Sequence, residues 1–397
     1  MDSTTRRALA DGDIIADVGK AGGIALARRG DLLVSRDVAE SLTRQLREAA
    51  EPADEQREGA QLWRLRGDES PFALIDRLSR GRTEPLGVGP NHVFFGAPPY
   101  HGCPAAPPKP ARSEVTFPSL SKCSIEVAVL DSGTIPHPAL AGRVTPVQGE
   151  WINPSTDNLE PVPADAVDRD GDGLLDMMAG HGNVVCSVIA ERSACANITS
   201  IGQRGLYALY TEWEIAHTLT TMGPKFGVIN LSIAGMTHRN RPPIGLALAL
   251  NALPAETAVV ASAGNMNTAI PHWPGAFRRV ICVGAVDDTG GATPPPRAGF
   301  SNFGSWVDCC AGGVDVLGAH VWWKGGLEDD PNGSYDFEGW STWSGTSFSA
   351  PKVAAAIAQL ACDRSMPPRL AAAHLLAGSG GVAARWRADM GIELTIA

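Results

Sequence analysis

No run in this 397-residue chain is apolar enough for the roughly 20 residues that a bilayer-spanning helix needs, so a helical membrane protein is excluded. Positive charge is scarce. Lys and Arg number 33 against 43 Asp and Glu, a net charge of -10 with no basic run, which excludes sequence-independent binding to nucleic acid through phosphate neutralisation. Cysteine is too sparse for a disulfide scaffold, eight residues with no C-x-x-C pair, and most read as buried thiols. There is no internal repeat. The amino-terminal stretch carries Asp11, Asp13 and Asp17 where a secretory leader would hold its apolar segment, so the expectation is a cytoplasmic protein.

What is present is enough chain for two domains. Charge is nearly balanced up to Pro110, with 15 basic and 16 acidic residues, and the acidic surplus lies beyond it. Between Asp31 and Gly96, LLVS, LWRLRG and LGVGPNHVFFG read as strands. VAESLTRQLREAA and SPFALIDRLSRG, with apolar residues three and four apart, read as helices. This predicts a small α+β unit over 1–100. The proline-rich stretch that follows, 101–120, cannot continue a helix and reads as the linker. From 121 to 397, apolar runs such as IEVAVLD, GVINLSI, AVVASAG and RVICVGAV alternate with helical segments. Strands apolar on both faces predict an α/β domain with a mostly parallel sheet covered by helices on both sides.

Three polar residues occupy positions where such sheets build sites. Asp131 closes IEVAVL at the carboxyl end of a central strand. His181 stands between two glycines at the start of the helical run VVCSVIA. Ser347 lies in a small-residue turn that opens the long helix ending in AAAIAQLA, with Pro351 placed in its first turn. Taken singly, each has an ordinary reading: a turn or cap for the aspartate, a cap or core residue for the histidine, an N-cap for the serine.

Together, VAVLDSG, GHGNVV and SGTSFSAP, in the order Asp, His, Ser, resemble the subtilisin-like serine peptidases, an order known for that family. VINLSIAG and VVASAGN, lying between them, resemble its substrate-binding strand and the strand ending in its oxyanion asparagine. The resemblance implies a subtilisin-like three-layer fold and a serine endopeptidase acting on protein or peptide. In it Asp131 would orient His181, His181 would take the proton of Ser347, and Asn265 would donate to the oxyanion. Ser232, Ile233, Ala234 and Gly235, with Gly264, would bind substrate. The amino-terminal unit resembles the family's inhibitory pro-domain, with PNHVFFG as the final strand and tail that lie in the cleft and self-cleavage expected near Phe95 to His101.

Departures from the family pattern are Asn183 after the His-Gly pair, Phe348 and Ser349 after the nucleophile, and Ala234 beside the specificity pocket. Ala234 and His272 would narrow specificity. No cofactor is required by this chemistry. DRDGDGLLD spaces Asp168, Asp170, Asp172 and Asp176 as in a Ca2+ loop, yet has Ala179 where such a loop needs an acid; a solvated turn is the favoured reading and calcium the alternative. The Trp-rich stretch from Val321 to Ser344 reads as a hairpin, with a substrate-gripping surface as the other reading. The runner-up function is a catalytically silent binding or scaffold protein of the same fold. An esterase would want G-x-S-x-G and the order Ser, Asp, His, which Ser347 lacks.

Overall fold

A computed structural model describes residues 12–19, 23–38, 40–53, 60–82, 86–94, 106–148, 150–152, 159–161, 167–168, 171–202, 210–379 and 381–396. Chain order in the first unit is β1 (Ile14–Val18), β2 (Ile24–Ser35), α1 (Glu40–Ala49), β3 (Ala50–Pro52), β4 (Ala60–Leu65), α2 (Pro71–Ser79) and β5 (Val88–Phe94). Its antiparallel strands pack on the two helices through Leu32, Leu42, Leu46, Trp63, Leu74 and Leu78. Ser70 caps α2 by accepting the Ala73 N–H, and Pro71 sits where its missing N–H costs nothing.

The linker holds β6 (Lys109–Pro110). Beyond it come β7 (Ile125–Asp131), β8 (Val144–Gln148), the short pair β9 (Glu150–Ile152) and β10 (Leu159–Pro161), α3 (His181–Arg192), β11 (Ala196–Gly202) and β12 (Tyr210–Thr211). They are followed by α4 (Glu212–Thr221), β13 (Val228–Leu231), α5 (Ile244–Ala252), β14 (Ala258–Ser262), β15 (Val280–Val286) and β16 (Cys309–Gly312). A long hairpin of β17 (Val316–Leu327) and β18 (Asp330–Trp343) leads into α6 (Thr346–Asp363) and α7 (Pro368–Leu376), with β19 (Ala383–Arg387) and β20 (Gly391–Thr395) last.

The central sheet runs β19-β20-β16-β15-β14-β13-β7-β11-β8, parallel throughout except for the edge pair β19-β20. The two faces of β7 explain the layers. Val127 and Val129 join the core with α3, α6 and α7, while Ala128 and Leu130 join the one with α4 and α5. Alternation along one strand thus buries two separate helix layers. No described helix is long and apolar enough to cross a membrane.

Cys186, Cys195, Cys282, Cys309 and Cys310 are buried free thiols, as expected from their sparseness. One pair departs from that reading: Cys123 and Cys362, 239 residues apart, form a disulfide that ties the lead-in of β7 to the end of α6.

The two units join through strand addition. β12 pairs antiparallel with β5, Tyr210 opposite Phe94, so a piece of the larger domain becomes the sixth strand of the small sheet. Around this seam Asn91 accepts the N–H of Trp213 at 3.0 Å, and His92 contacts Glu212 at 2.7 Å. His238 sits between Asp17 and Asp76 of the first unit, 2.7 Å from each.

Candidate active site

β7 ends by placing the Asp131 carboxylate at the carboxyl edge of the sheet, fully buried. Its Oδ1 accepts the Ser132 N–H at 2.7 Å and lies 2.7 Å from His181 Nδ1, which fixes Nδ1 as the protonated nitrogen and leaves Nε2 as the basic one. Nε2 is buried and has no hydrogen-bond partner among the described residues.

Glycine is required on both sides of that imidazole. Gly180 caps α3 with φ +74°, and a Cβ there would come within 3.0 Å of His320 and Val321. At Gly182 a Cβ would fall 1.9 Å from the Gly133 carbonyl oxygen, because the loop after Asp131 and the start of α3 touch backbone to backbone. Ser132 Oγ accepts the Gly182 N–H at 3.1 Å across the same contact. Asn183 exchanges two 2.8 Å hydrogen bonds with the backbone of Ile135, clamping the loop after Asp131 to the helix that carries His181. The departure at position 183 therefore acts as a tether.

Ser347 is the second residue of α6 and fully buried. Pro351 lies inside this helix, further along than the expected first turn, and its missing N–H would orphan the Ser347 carbonyl. Ser232 Oγ donates to that carbonyl instead, at 2.9 Å, and is itself positioned by Asn230 Nδ2. The Ser347 hydroxyl points to the Ser232 carbonyl at 3.4 Å rather than to His181.

Asn265 follows β14. Its side-chain oxygen accepts both the N–H and the hydroxyl of Thr346, each at 2.9 Å, which orients the amide. Its Nδ2 is buried and unpartnered among the described residues. A buried donor without an acceptor is costly, so a donor held this way is poised for an acceptor that arrives with a ligand.

Gly264, with φ +95°, donates its N–H to Thr346 Oγ1, and a Cβ on it would meet Asn302, His272 and Ala234. Burial pushes the His272 imidazole down to about 4, and its Nδ1 donates to the Ile270 carbonyl, so it presents a neutral wall. Gly235 differs from expectation: it exchanges both backbone hydrogen bonds with Trp273, at 2.8 and 3.0 Å, so its N–H and carbonyl are not offered for strand pairing with a substrate. A Cβ at Gly235 would lie 2.7 Å from the Phe94 ring. That ring is buried with Tyr210, Ile233 and Trp273.

An aromatic shell around His181 escaped sequence reasoning. Trp343 meets the imidazole edge-on at 5.4 Å, Phe348 lies 5.2 Å away, and His320 backs Trp343. Burial first, then repulsion from His181 and His137, push His320 down to about 3. The Trp-rich stretch that supplies Trp343 is the expected hairpin, and its most exposed indole, Trp322, stacks on His137. Cys186, on the His181 helix, is held protonated by burial and by Asp131.

In the acidic loop, Asp168 accepts the backbone N–H groups of Gly171, Asp172 and Gly173, and Asp172 accepts that of Leu174. Asp176 is buried, and Asp170 lies outside the described residues. Among the described residues no group of three or more His, Cys, Asp or Glu converges as a metal site. The proposed cleavage segment, Phe95 to His101, also lies outside them.

The sequence profile of the subtilase family matches residues 123–376. A thermophilic serine proteinase of Bacillus sp. (strain AK1) is 27% identical over 196 residues, 48% of this chain and 44% of its own length. Subtilisin-like protease 2 of Trichophyton rubrum is 30% identical over 201 residues, 47% of this chain and 42% of its own. The chain thus spans less than half the length of these relatives. Among solved structures, fervidolysin from Fervidobacterium pennivorans, a keratinolytic enzyme related to subtilisin, superposes with a TM-score of 0.61 at 19% identity, covering 96% of this chain and 61% of fervidolysin. The fold is that of the subtilisin-related proteases, and with the profile spanning more than half its length the chain belongs to the subtilase family.

Proposed function

We propose that the protein is a serine endopeptidase with Ser347 as nucleophile, His181 as general base and acid, Asp131 as the group that orients the imidazole, and Asn265 as an oxyanion donor. The observation that carries this reading is the buried Asp131–His181 bond of 2.7 Å, set beside two unpartnered buried groups, His181 Nε2 and Asn265 Nδ2, with Ser347 between residues that touch both. In the reaction Ser347 Oγ bonds to the substrate carbonyl carbon as its proton passes to Nε2. The oxyanion accepts from Asn265 Nδ2 and from the Ser347 N–H, a group without an intrahelical partner at a helix start. His181 then gives its proton to the departing amine, and water hydrolyses the acyl-enzyme by the same route. Crowding of Gly264 by Ala234 and His272 favours small side chains beside the scissile carbonyl.

The amino-terminal unit acts as an internal inhibitor in this reading. It adds a strand to β12 and seats Phe94 against Gly235, next to the Ser232–Ala234 edge where an extended substrate would lie. The loop Asp168–Asp176 is a solvated turn, with calcium the alternative. The test is turnover of an unfolded protein substrate together with intact mass, on wild type and Ser347→Ala. Wild type should cut the substrate and the variant should not. A wild type that stays inert even when Phe94→Asp loosens the inhibitory seam favours a silent scaffold.

A further inference from the structure

The amino-terminal unit and its linker touch the larger domain on both sides of Ser347. On one side Phe94 packs against Gly235, three residues beyond Ser232, whose carbonyl faces the Ser347 hydroxyl. On the other side β6 pairs antiparallel with β18, Lys109 opposite Thr342 and Pro110 opposite Ser341, and the Ala111 N–H donates to the Trp340 carbonyl at 3.1 Å. Thr342 stands five residues before Ser347, so β18 runs straight into the nucleophile turn. Since β6 is antiparallel to it, the linker moves away from Ser347 as its numbering rises. A polypeptide in both places has its amino-terminal part at β12 and its carboxyl-terminal part at β18. That is the sense a substrate needs for its carbonyl to meet Ser347 while its amine half departs over β18.

We propose that the outer edge of β18, from Trp340 to Thr342, is the docking strand for the leaving-group half of the substrate, and that the carboxylates beside it select basic residues there. The proposal rests on Ser347 being the nucleophile. The linker shows the chemistry of the occupant: Lys109 Nζ lies 3.1 Å from Asp315, and Arg112 pairs with Glu338 and, at 3.6 Å, with Asp336. Among the described residues Lys324 opposes this, 3.9 Å from Asp336 and exposed. The linker is also a poor strand. Only Lys109 and Pro110 pair with β18, and the Ser341 hydroxyl opposite Pro110 is buried without a partner among the described residues. A basic segment paired over more than these two positions would make ladder bonds that the linker does not, and so displace it.

The experiment uses the full chain, as wild type and as the double variant Asp336→Lys with Glu338→Lys, both sites being exposed. Each is given a peptide library from a denatured proteome, and residues on both sides of every cut are read by mass spectrometry. A fluorophosphonate, whose leaving group is fluoride and not a peptide, reads the nucleophile separately on both chains. The expected result for wild type is at least threefold enrichment of Lys and Arg about five to eight residues beyond the cut on the leaving side, the more distant preference shifting to Asp and Glu in the variant. A wild type that labels yet cuts without regard to leaving-side charge overturns the docking proposal, as does a preference that survives the charge reversal. A chain that labels neither as wild type nor with Phe94→Asp loosening the inhibitory seam overturns the nucleophile reading beneath it.

Discussion

Replacing Asp131 by Asn separates charge from geometry at this site. Asp131 Oδ1 accepts two hydrogen bonds, from Ser132 N–H and from His181 Nδ1–H, each 2.7 Å, while Oδ2 has no partner among the described residues. An asparagine can put its amide oxygen at the Oδ1 position and keep both bonds, with its NH2 at the position of Oδ2. The imidazole then keeps its orientation and tautomer, and what vanishes is the negative charge that steadies the imidazolium formed as Ser347 is deprotonated. Two unit charges about 4 Å apart interact by about 4 kcal/mol at an effective dielectric of about 20. Lost only in the transition state, this lowers kcat by roughly 10^3. The assay is steady-state hydrolysis of a chromogenic peptide amide, with the melting temperature as a control. Asp131→Asn should melt near wild type and keep its KM. A fall in kcat of less than tenfold, or a loss carried by KM, would refute the argument.

Asn265→Ala removes the unpartnered donor and should cost about 10^2 to 10^3 in kcat with little change in KM, read in the same assay; an unchanged kcat would remove Asn265 from the oxyanion site. Gly182→Ala drives a methyl toward the Gly133 carbonyl, so soluble yield and melting temperature should both drop, and a wild-type melting curve would show that this contact is not tight. Glu214, buried in the capping box of α4, has its carboxyl pushed up to about 7, mainly by burial. Folding therefore favours its protonated form: the contribution is complete below pH 4.5 and is lost as pH rises through about 7, an effect of about 3 kcal/mol at most. Urea midpoints at pH 5 and pH 8 should differ less in Glu214→Gln than in wild type, and an equal difference in the two would contradict this.

The placement of Asp131 at a strand end and His181 at a helix start was legible in local apolar patterns, Asn265 was found only through the family resemblance of VVASAGN, and the α/β architecture is written in runs such as IEVAVLD, apolar on both faces. Tertiary partnerships leave no such trace. Nothing local links Cys123 to Cys362, or marks Ser232 as the donor that replaces the helical bond lost at Pro351. The Trp-rich excursion announced a hairpin, but Trp343 against His181 depends on how that hairpin folds over α3. The four-residue substrate edge was overread for the same reason. Gly235 is taken up by Trp273, a residue 38 places further along the chain.

The central claim, that Ser347 is an activated nucleophile, is tested most directly by locating a fluorophosphonate adduct. Wild type, His181→Ala and Ser347→Ala are exposed to the reagent, digested and mapped by peptide mass spectrometry. The account requires one adduct, on Ser347, in wild type, at least 10^2-fold slower labelling in His181→Ala since the base is gone, and none at that position in Ser347→Ala. Adducts scattered over surface hydroxyls, or labelling of Ser347 at an equal rate without His181, would contradict it.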